Sequence, residues 1–409
     1  MINSYILIIG DEILSGRTCD SNSCYIARRI NELGISPKSI ITIGDDKILI
    51  EQTISTLLEQ ADIIFICGGL GPTPDDKTVI SVANVLKRRL VLDETILSRN
   101  EKYFAKQNQE VPELATKQAL VPQGAIILNN PVGQAPGMIL KHGKKSIVLL
   151  PGVPIEMEKI FETGVFPYLN DNYSLKPDFI LYIRTTNISE MVIVEKISDV
   201  IKRFKGISTA YLPSVLGVDI KISSIPDKKM FSLLDKEITA RLKSYIYGHG
   251  HETIEDVIGN LLRKRQLTLS IAESCTGGLI SDKITNTPGS SEYFIGSIIV
   301  YNNKIKKLFA GVKDETLKKN GAVSKETVIE MALGIRERFN TDIGIGVSGI
   351  AGPTGATKDK PIGLVYIGIA GKKASYYEEH IFNGNRRMIK EKATMAALDF
   401  LRRTLENQT

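Results

Sequence analysis

"IIFICGGLGPTPDDKT", residues 63–78, is the stretch on which the fold turns. Its first five residues are apolar without a break and run straight into Gly68-Gly69. A half-exposed strand alternates apolar and polar residues; an unbroken apolar run marks a strand covered on both faces. Such strands belong to parallel sheets with helices on either side. The flanking sequence has the same rhythm. Tyr5–Ile9 is strand-like and turns at Gly10-Asp11-Glu12. Asn22–Leu33 places Ile26, Ile30 and Leu33 on one helical face, with Gly34 as the stop. Ser39–Ile43 is a strand ending in Gly44-Asp45-Asp46, and Ile48–Gln60 is helical. Ala125–Leu128 and Ser146–Leu150 read as later strands. The order β-α-β-α-β predicts a mostly parallel, doubly wound sheet.

The loop after the opening run carries the chemistry of this part. Gly68, Gly69 and Gly71 let the backbone turn sharply and present amides. Thr73 fits a helix N-cap, Pro74 the first helical position, and Asp75 and Asp76 the first turn. A helix N-terminus attracts phosphate, but adjacent carboxylates repel it, and a divalent cation between the two resolves the conflict. Asp11, Glu12, Asp45 and Asp46 also follow strands. In an open parallel sheet all these loops gather at the carboxyl edge. Asp11, Glu12, Asp46, Asp75 and Asp76 are therefore the metal candidates. Each alone also fits ordinary turn or capping chemistry. "NPVGQAPGM" (130–138) and "LLPGVPIEM" (149–157) add Gly/Pro turns, the second opening a helix that Glu156 would cap.

The chain has 409 residues, enough for two or three domains. Lysine and arginine exceed aspartate and glutamate by six, with no basic tail or stripe, and tryptophan is absent. Nucleic acid is thus not an expected partner. The start, MINSYILIIGDE, lacks the features of a signal peptide, and no stretch has the length of a membrane span. Cys19, Cys24, Cys67 and Cys275 form no CxxC pair. A cytoplasmic protein is expected.

From about Lys176 to Gly248 the texture changes to a small α+β unit: strand-like Phe179–Arg184 and Val218–Ser223, and helices near Met191–Phe204 and Lys228–Ser244. The GxxG clamp of an RNA-binding KH domain is missing. Gly248-His249-Gly250-His251 reads as a linker rather than a metal site.

A second α/β domain follows. Helix 253–264 precedes an apolar run, Leu267–Ala272, that ends in "ESCTGG" (273–278). Further strands are expected at Ser297–Tyr301, Ile343–Val347 and Gly363–Ala370, with amphipathic helices at Lys325–Phe339 and Arg387–Glu406. Ser274 sits on a strand-to-helix turn, where serine is either an N-cap or a nucleophile. A nucleophile needs a base, and His380 is the only histidine well inside this domain. A lysine whose ammonium is desolvated can take that place. "YNNKIKKLFAG" (301–311) offers Tyr301, Asn303 and Lys306 in the next βα loop. The amides of Thr276, Gly277 and Gly278 are candidates for an oxyanion hole. "GVSGIAGPTGA" (346–356) adds a second glycine turn with Ser348, Gly349 and Gly352, and Arg386, Arg387 and Lys390 form a basic cluster.

Together these stretches resemble the CinA family of competence/damage-inducible proteins. "GDEILSG", "DSNSCYIARRINELGI", "GGLGPTPDDKT", "KQA", "APGM" and "LPGVPIEM" are similar to its N-terminal domain, itself related to molybdopterin-binding proteins of the MogA/MoeA kind. "AESCTGG", "YNNKIKK", "GVSGIAGPTG" and "FNGNRR" are similar to its C-terminal nicotinamide-nucleotide amidase domain. The resemblance implies two doubly wound α/β domains, at 1–172 and 251–409, joined by a small α+β, KH-like domain at 173–250. It implies deamidation of nicotinamide mononucleotide (NMN) by the C-terminal domain, with no cofactor. Ser274 is the nucleophile, Tyr301 and Lys306 its acid–base partners, and Thr276, Gly277, Gly278, Asn303, Ser348, Gly349, Gly352 and Arg386 lie around the nucleotide. It implies cleavage of ADP-ribose to AMP and ribose 5-phosphate by the N-terminal domain, with Mg²⁺ or a similar ion, and with Gly68, Gly69, Gly71 and Thr73 about the substrate. A homodimer is implied as well. The sequence departs from the family pattern at "TTNISEM", where a glycine-containing turn is usual, and at Lys390, where arginine is frequent. The alternative is a nucleotide- or pterin-binding adaptor in competence, without catalysis in one or both domains.

Overall fold

In the computed structural model the described residues are 2–106, 108–175, 179–215 and 217–407. The expected start of the middle unit, at 176–178, lies outside them. The chain forms two compact units, Met1–Asp178 and Phe179–Thr409.

The first unit is built on a six-stranded sheet in the order Pro37–Ile43, Ser4–Ile9, Ile63–Cys67, Lys145–Leu150, Gly137–His142, Ile126–Leu128. Its first four strands are parallel, and the last two add antiparallel. The opening run is buried throughout, as its composition requires. Its side chains alternate between two cores. Ile64 and Ile66 pack with Ile50, Ile54, Leu57 and Val82 on one face. Ile63, Phe65 and Cys67 pack with Ile26, Ile30, Met157 and Phe161 on the other. A strand of period two with apolar residues at every position needs a helical layer on each side, and both layers are present. The strand Gly137–His142 was hidden in the sequence by its Gly/Pro-rich approach. Gly137 is buried there, and a Cβ on it would come within 2.6 Å of Ile160.

The second unit begins with an antiparallel four-stranded sheet, order Ser208–Pro213, Val218–Ile225, Phe179–Thr185, Ile246–His249. Helices Glu190–Arg203 and Lys228–Leu242 bury Ile193, Ile197, Leu234 and Ile238 against its Leu181, Ile183, Ile220 and Ile222. Gly248-His249 belongs to the edge strand rather than to a linker.

The C-terminal sheet runs Phe294–Ile299, Leu269–Glu273, Ile343–Gly349, Leu364–Ala370, Ser375–Ile381. The first three strands are parallel and the last two antiparallel. Leu269–Glu273 is central and wholly buried. Its carboxyl end therefore opens between the loops that follow both parallel neighbours.

The last helix departs from its expected amphipathic character. In Arg386–Asn407, every residue from Ala393 to Leu405 except Arg403 is buried, Asp399 and Arg402 included. The reason is that it is covered from two sides. It packs on the C-terminal sheet, and Arg402 also donates to the carbonyls of Ser244 (2.8 Å) and Ile246 (3.5 Å). Arg402 and Asp399 pair at 2.8 Å with each 1% exposed, and Asn187 donates to the same aspartate at 2.7 Å. Removing Arg402 takes the fully buried cation from Asp399 and leaves Arg403, at 2.8 Å, as its counter-charge, with the Ser244 and Ile246 carbonyls losing a donor. Arg402→Ala should lower unfolding stability by about 2–3 kcal/mol, read as a shift in the denaturant midpoint.

Candidate active sites

Glu273, the last residue of the central strand, organises the turn after it. Its fully buried carboxylate accepts the amides of Gly278 (2.9 Å), Ile280 (3.2 Å) and Ser281 (2.9 Å) and the Ser281 hydroxyl (2.6 Å). It thereby caps helix Leu279–Thr285, whose N-cap residue Gly278 makes no side-chain cap. Ser274 is therefore not the cap of this helix. Gly277 and Gly278 have φ of +64° and +97°, which lets the turn fold back on the carboxylate. The same bonding changes the expected oxyanion hole: the Gly278 amide is committed to Glu273, leaving Thr276 and Gly277 as the candidates in this turn. Thr276 is fully buried, and neither it nor the two glycines line the cavity beside Ser274.

Ser274, held by its amide's 3.0 Å bond to the carbonyl of Val347, keeps its hydroxyl free for another partner. That partner is Lys306. Its Nζ lies 3.0 Å from Ser274 Oγ, 2.8 Å from the Val300 carbonyl and 3.1 Å from the Tyr301 carbonyl. Lys306 reaches this place from helix Asn303–Ala310, which Asn302 caps by accepting the amide of Lys304. The amine is 1% exposed. Burial pushes its pKa down to about 8, and the nearby Cys275 thiol opposes this only weakly. Cys275 itself is no rival nucleophile: burial pushes its thiol up to about 12. The geometry also directs the lone pair. A neutral amine has two hydrogens, and the two carbonyls, which can only accept, take both. The lone pair is left facing Ser274 Oγ.

The cavity beside this pair measures about 250 Å³ and is lined by Ser274, Tyr301, Asn303, Lys306, Ser348, Gly349, Gly352 and Arg386, among others. Ser348 is buried, and its hydroxyl donates to the Ala322 carbonyl at 2.6 Å. Gly349 is tightly enclosed, since a Cβ would meet Val365 at 2.6 Å and the Leu364 carbonyl at 2.8 Å. Arg386 spans the rim, donating to the Gly352 carbonyl (2.6 Å) and the Tyr301 hydroxyl (2.9 Å). Tyr301 is 61% exposed and bonded to Arg386; among the described residues its phenol makes no bond to Ser274 or Lys306.

The first unit holds the glycine loop. Gly68 has φ +108°, and a Cβ there would sit 2.1 Å from the Ile9 carbonyl, so only glycine fits. The helix expected from Thr73 starts instead at Thr78, whose hydroxyl donates to the Gly68 carbonyl at 2.8 Å. Thr73 does not cap it. Residues 73–76 close a turn in which the Thr73 amide and hydroxyl donate to the Asp76 carboxylate. A neighbouring cavity of about 800 Å³ is lined by Gly69, Gly71, Glu12, Asp76 and Glu156, among others. Gly68 and Thr73 are not in its wall.

The five expected metal ligands divide. Asp46 caps helix Lys47–Gln60 through the Leu49 amide (2.9 Å), and Asp75 is exposed outside the cavity. Asp45, adjacent to the expected Asp46, is the one that joins Asp11: each receives the other's amide, at 3.0 and 3.3 Å. Burial raises the Asp45 pKa, and the like charges of Asp11, Glu12 and Asp76 add to the rise. No lysine or arginine among the described residues forms an ion pair with these four acids. Their unbalanced charge suits a divalent cation, although no three acidic, histidine or cysteine side chains among the described residues converge tightly enough to hold one. Asp46 was recognisable as a cap from its place just before Ile48–Gln60. Glu273 gave no such signal, because capping rules look to the residues next to a helix.

The fold and these groups define a class of α/β protein that pairs a hydroxyl with a buried amine in one domain and an acidic, glycine-walled cavity in another. Family models match accordingly: "Probable molybdopterin binding domain" over residues 5–171, "Damage-inducible protein CinA KH domain" over 182–248 and "CinA C-terminal domain" over 251–405. A "Putative competence-damage inducible protein" from Caldicellulosiruptor saccharolyticus is 40% identical over 407 residues, spanning 98% of this chain and 99% of that one. A "CinA-like protein" from Kosmotoga olearia is 40% identical over 408 residues, spanning 98% of both. A crystal structure of the protein CinA, of unknown function, from Thermoplasma acidophilum is 33% identical, covers 42% of this chain and 96% of that one, and has a TM-score of 0.38. The chain belongs to the CinA family. Among the described residues no helix is long and apolar enough to cross a membrane.

The buried amine makes a pH prediction. Below its pKa Lys306 is an ammonium and cannot accept a proton; above it the amine is free to do so. Labelling of Ser274 by a fluorophosphonate should therefore rise with pH and level off above about 8, read by mass spectrometry of the labelled peptide. Lys306→Met should remove that limb and slow labelling by roughly 10²–10⁴-fold.

Proposed function

We propose that the C-terminal domain deamidates NMN to nicotinate mononucleotide and ammonia, by a serine–lysine mechanism. The supporting observation is the 3.0 Å approach of the buried Lys306 amine to Ser274 Oγ, with two carbonyls holding its hydrogens. In this reading Lys306 takes the Ser274 proton as Oγ attacks the carboxamide carbon. The oxyanion needs backbone donors that reach the cavity beside Ser274, a place that Thr276, Gly277 and Gly278 do not line. The lysine ammonium returns the proton to the departing nitrogen, and the C–N bond breaks to release ammonia. Water, deprotonated by the same amine, then attacks the acyl-serine carbonyl; the acyl C–O bond breaks, Lys306 returns the proton to Ser274 Oγ, and nicotinate mononucleotide leaves. The 250 Å³ cavity suits the ring and its carboxamide, with Arg386 at the rim as the cation for the phosphate. Tyr301, bonded to Arg386, positions that cation rather than moving the serine proton.

The N-terminal domain is proposed to cleave ADP-ribose to AMP and ribose 5-phosphate. Glu12 and Asp76, which line the cavity, would hold Mg²⁺ or a similar ion together with the phosphate oxygens of the substrate, while Asp11 and Asp45 hold each other by their amides. When bound, that ion would neutralise pyrophosphate charge. Thr73 acts here by fixing the Asp76 carboxylate. The partners in this reading are small nucleotides and a second copy of the chain, in the cytoplasm, without nucleic acid or membrane.

Incubation of the whole protein with each substrate, with and without EDTA, separates the halves. Ammonia release from NMN should survive EDTA and be lost in Ser274→Ala by roughly 10³-fold or more. AMP release from ADP-ribose should need metal and fall in Asp76→Ala only. Wild-type ammonia release in Ser274→Ala would refute the first assignment, and metal-independent cleavage the second.

A further inference from the structure

Beside the acidic cavity lies another, of about 780 Å³. The two share Tyr103 and Gly133 in their walls. Their charges are opposite. Arg99, Lys102 and Lys106 line the second cavity from helix Glu94–Lys106, at spacings of three and four residues that put them along one side. Its one carboxylate, Asp93, is engaged in accepting the Ile96 amide at 3.0 Å.

Arg99 is the telling residue. It is half-buried and makes no ion pair among the described residues; Asp93 and Glu156 act on it only at a distance. Its guanidinium donates to the Asn129 side chain (3.3 Å) and the Gln134 carbonyl, while its Nε is buried with no partner. Burial pulls its pKa below the usual arginine value. A half-buried cation with no counter-charge in contact carries a desolvation cost, and a forked donor is best satisfied by an oxyanion that takes two hydrogen bonds at once. The neutral part of the wall fits the same kind of ligand. Thr95, Ser98 and Asn129 offer polar groups, and Tyr103, in the walls of both cavities, offers an aromatic side chain.

We propose that Arg99, Lys102 and Lys106 form an anion site for the phosphoryl group of a sugar phosphate or nucleotide. A ligand too long for one cavity reaches the other past Tyr103. The site is read from its own side chains and stands whether or not the acidic cavity cleaves ADP-ribose.

The test is calorimetric titration of the full-length protein, metal-free with chelator present, using ribose 5-phosphate in one arm and inorganic phosphate in the other. Saturable binding of ribose 5-phosphate is expected, weakened about 10-fold or more by Arg99→Gln and roughly 3-fold by Lys102→Gln. Lys102 is exposed, so its substitution leaves folding out of the question. Equal affinity for inorganic phosphate, with the same dependence on Arg99, supports the site and assigns it to the free anion. No binding to the wild type, or affinities unchanged in both variants, overturns it. No bond is broken in this measurement. A failure to cleave ADP-ribose thus leaves the site standing, and a loss of Arg99 dependence leaves the cleavage reading standing.

Discussion

A lysine amine with almost no access to water is the constraint around which the C-terminal domain is arranged. An ammonium taken out of water must find a counter-charge, find acceptors or lose its proton. Lys306 finds two carbonyls and a hydroxyl, and the cause of its lowered pKa is burial. With a carboxylate in contact the ammonium would be stabilised, the pKa would rise, and little neutral amine would be present near neutral pH. The position of the amine thus brings a group of lowered pKa to Ser274 Oγ with no imidazole in contact.

A few residues away, Glu273 meets the same problem with the opposite sign and a different answer. Its carboxylate is equally buried but collects four donors from one turn. The consequence for chemistry is indirect. Because Glu273 caps the helix, Ser274 is spared that task, and its hydroxyl is available to the amine. One acid, one alcohol and one amine are each placed by backbone groups, so the pair depends on the exact course of two βα turns rather than on other side chains.

Much of this was legible beforehand. The unbroken run Ile63–Cys67 announced a strand covered on both faces, and its alternate residues do enter two separate cores. Ile26, Ile30 and Leu33 are buried as their spacing required. The departures have physical reasons. Thr73 and its prolines have the composition of a helix start, but the Asp76 carboxylate draws Thr73 into a closed turn and delays the helix to Thr78. The final helix carries charges among apolar residues, which reads as one wet face. The Ser244 and Ile246 carbonyls satisfy Arg402 and remove that face from water.

Local order, in short, was written in periodicity: which segments are strands, which helices alternate with them, and which loops gather at a sheet edge. These follow from the chain's own steric and hydrophobic pattern, which needs no partner to be expressed. Tertiary structure alone decided which of several acids faces its neighbours and which residue caps the helix after Glu273, and it took the expected Lys306 of "NKIKK" out of water. Those outcomes depend on distances between segments far apart in the chain and on how much water reaches each charge. Neither quantity has a local signature, and both become definite only when the strands are laid side by side.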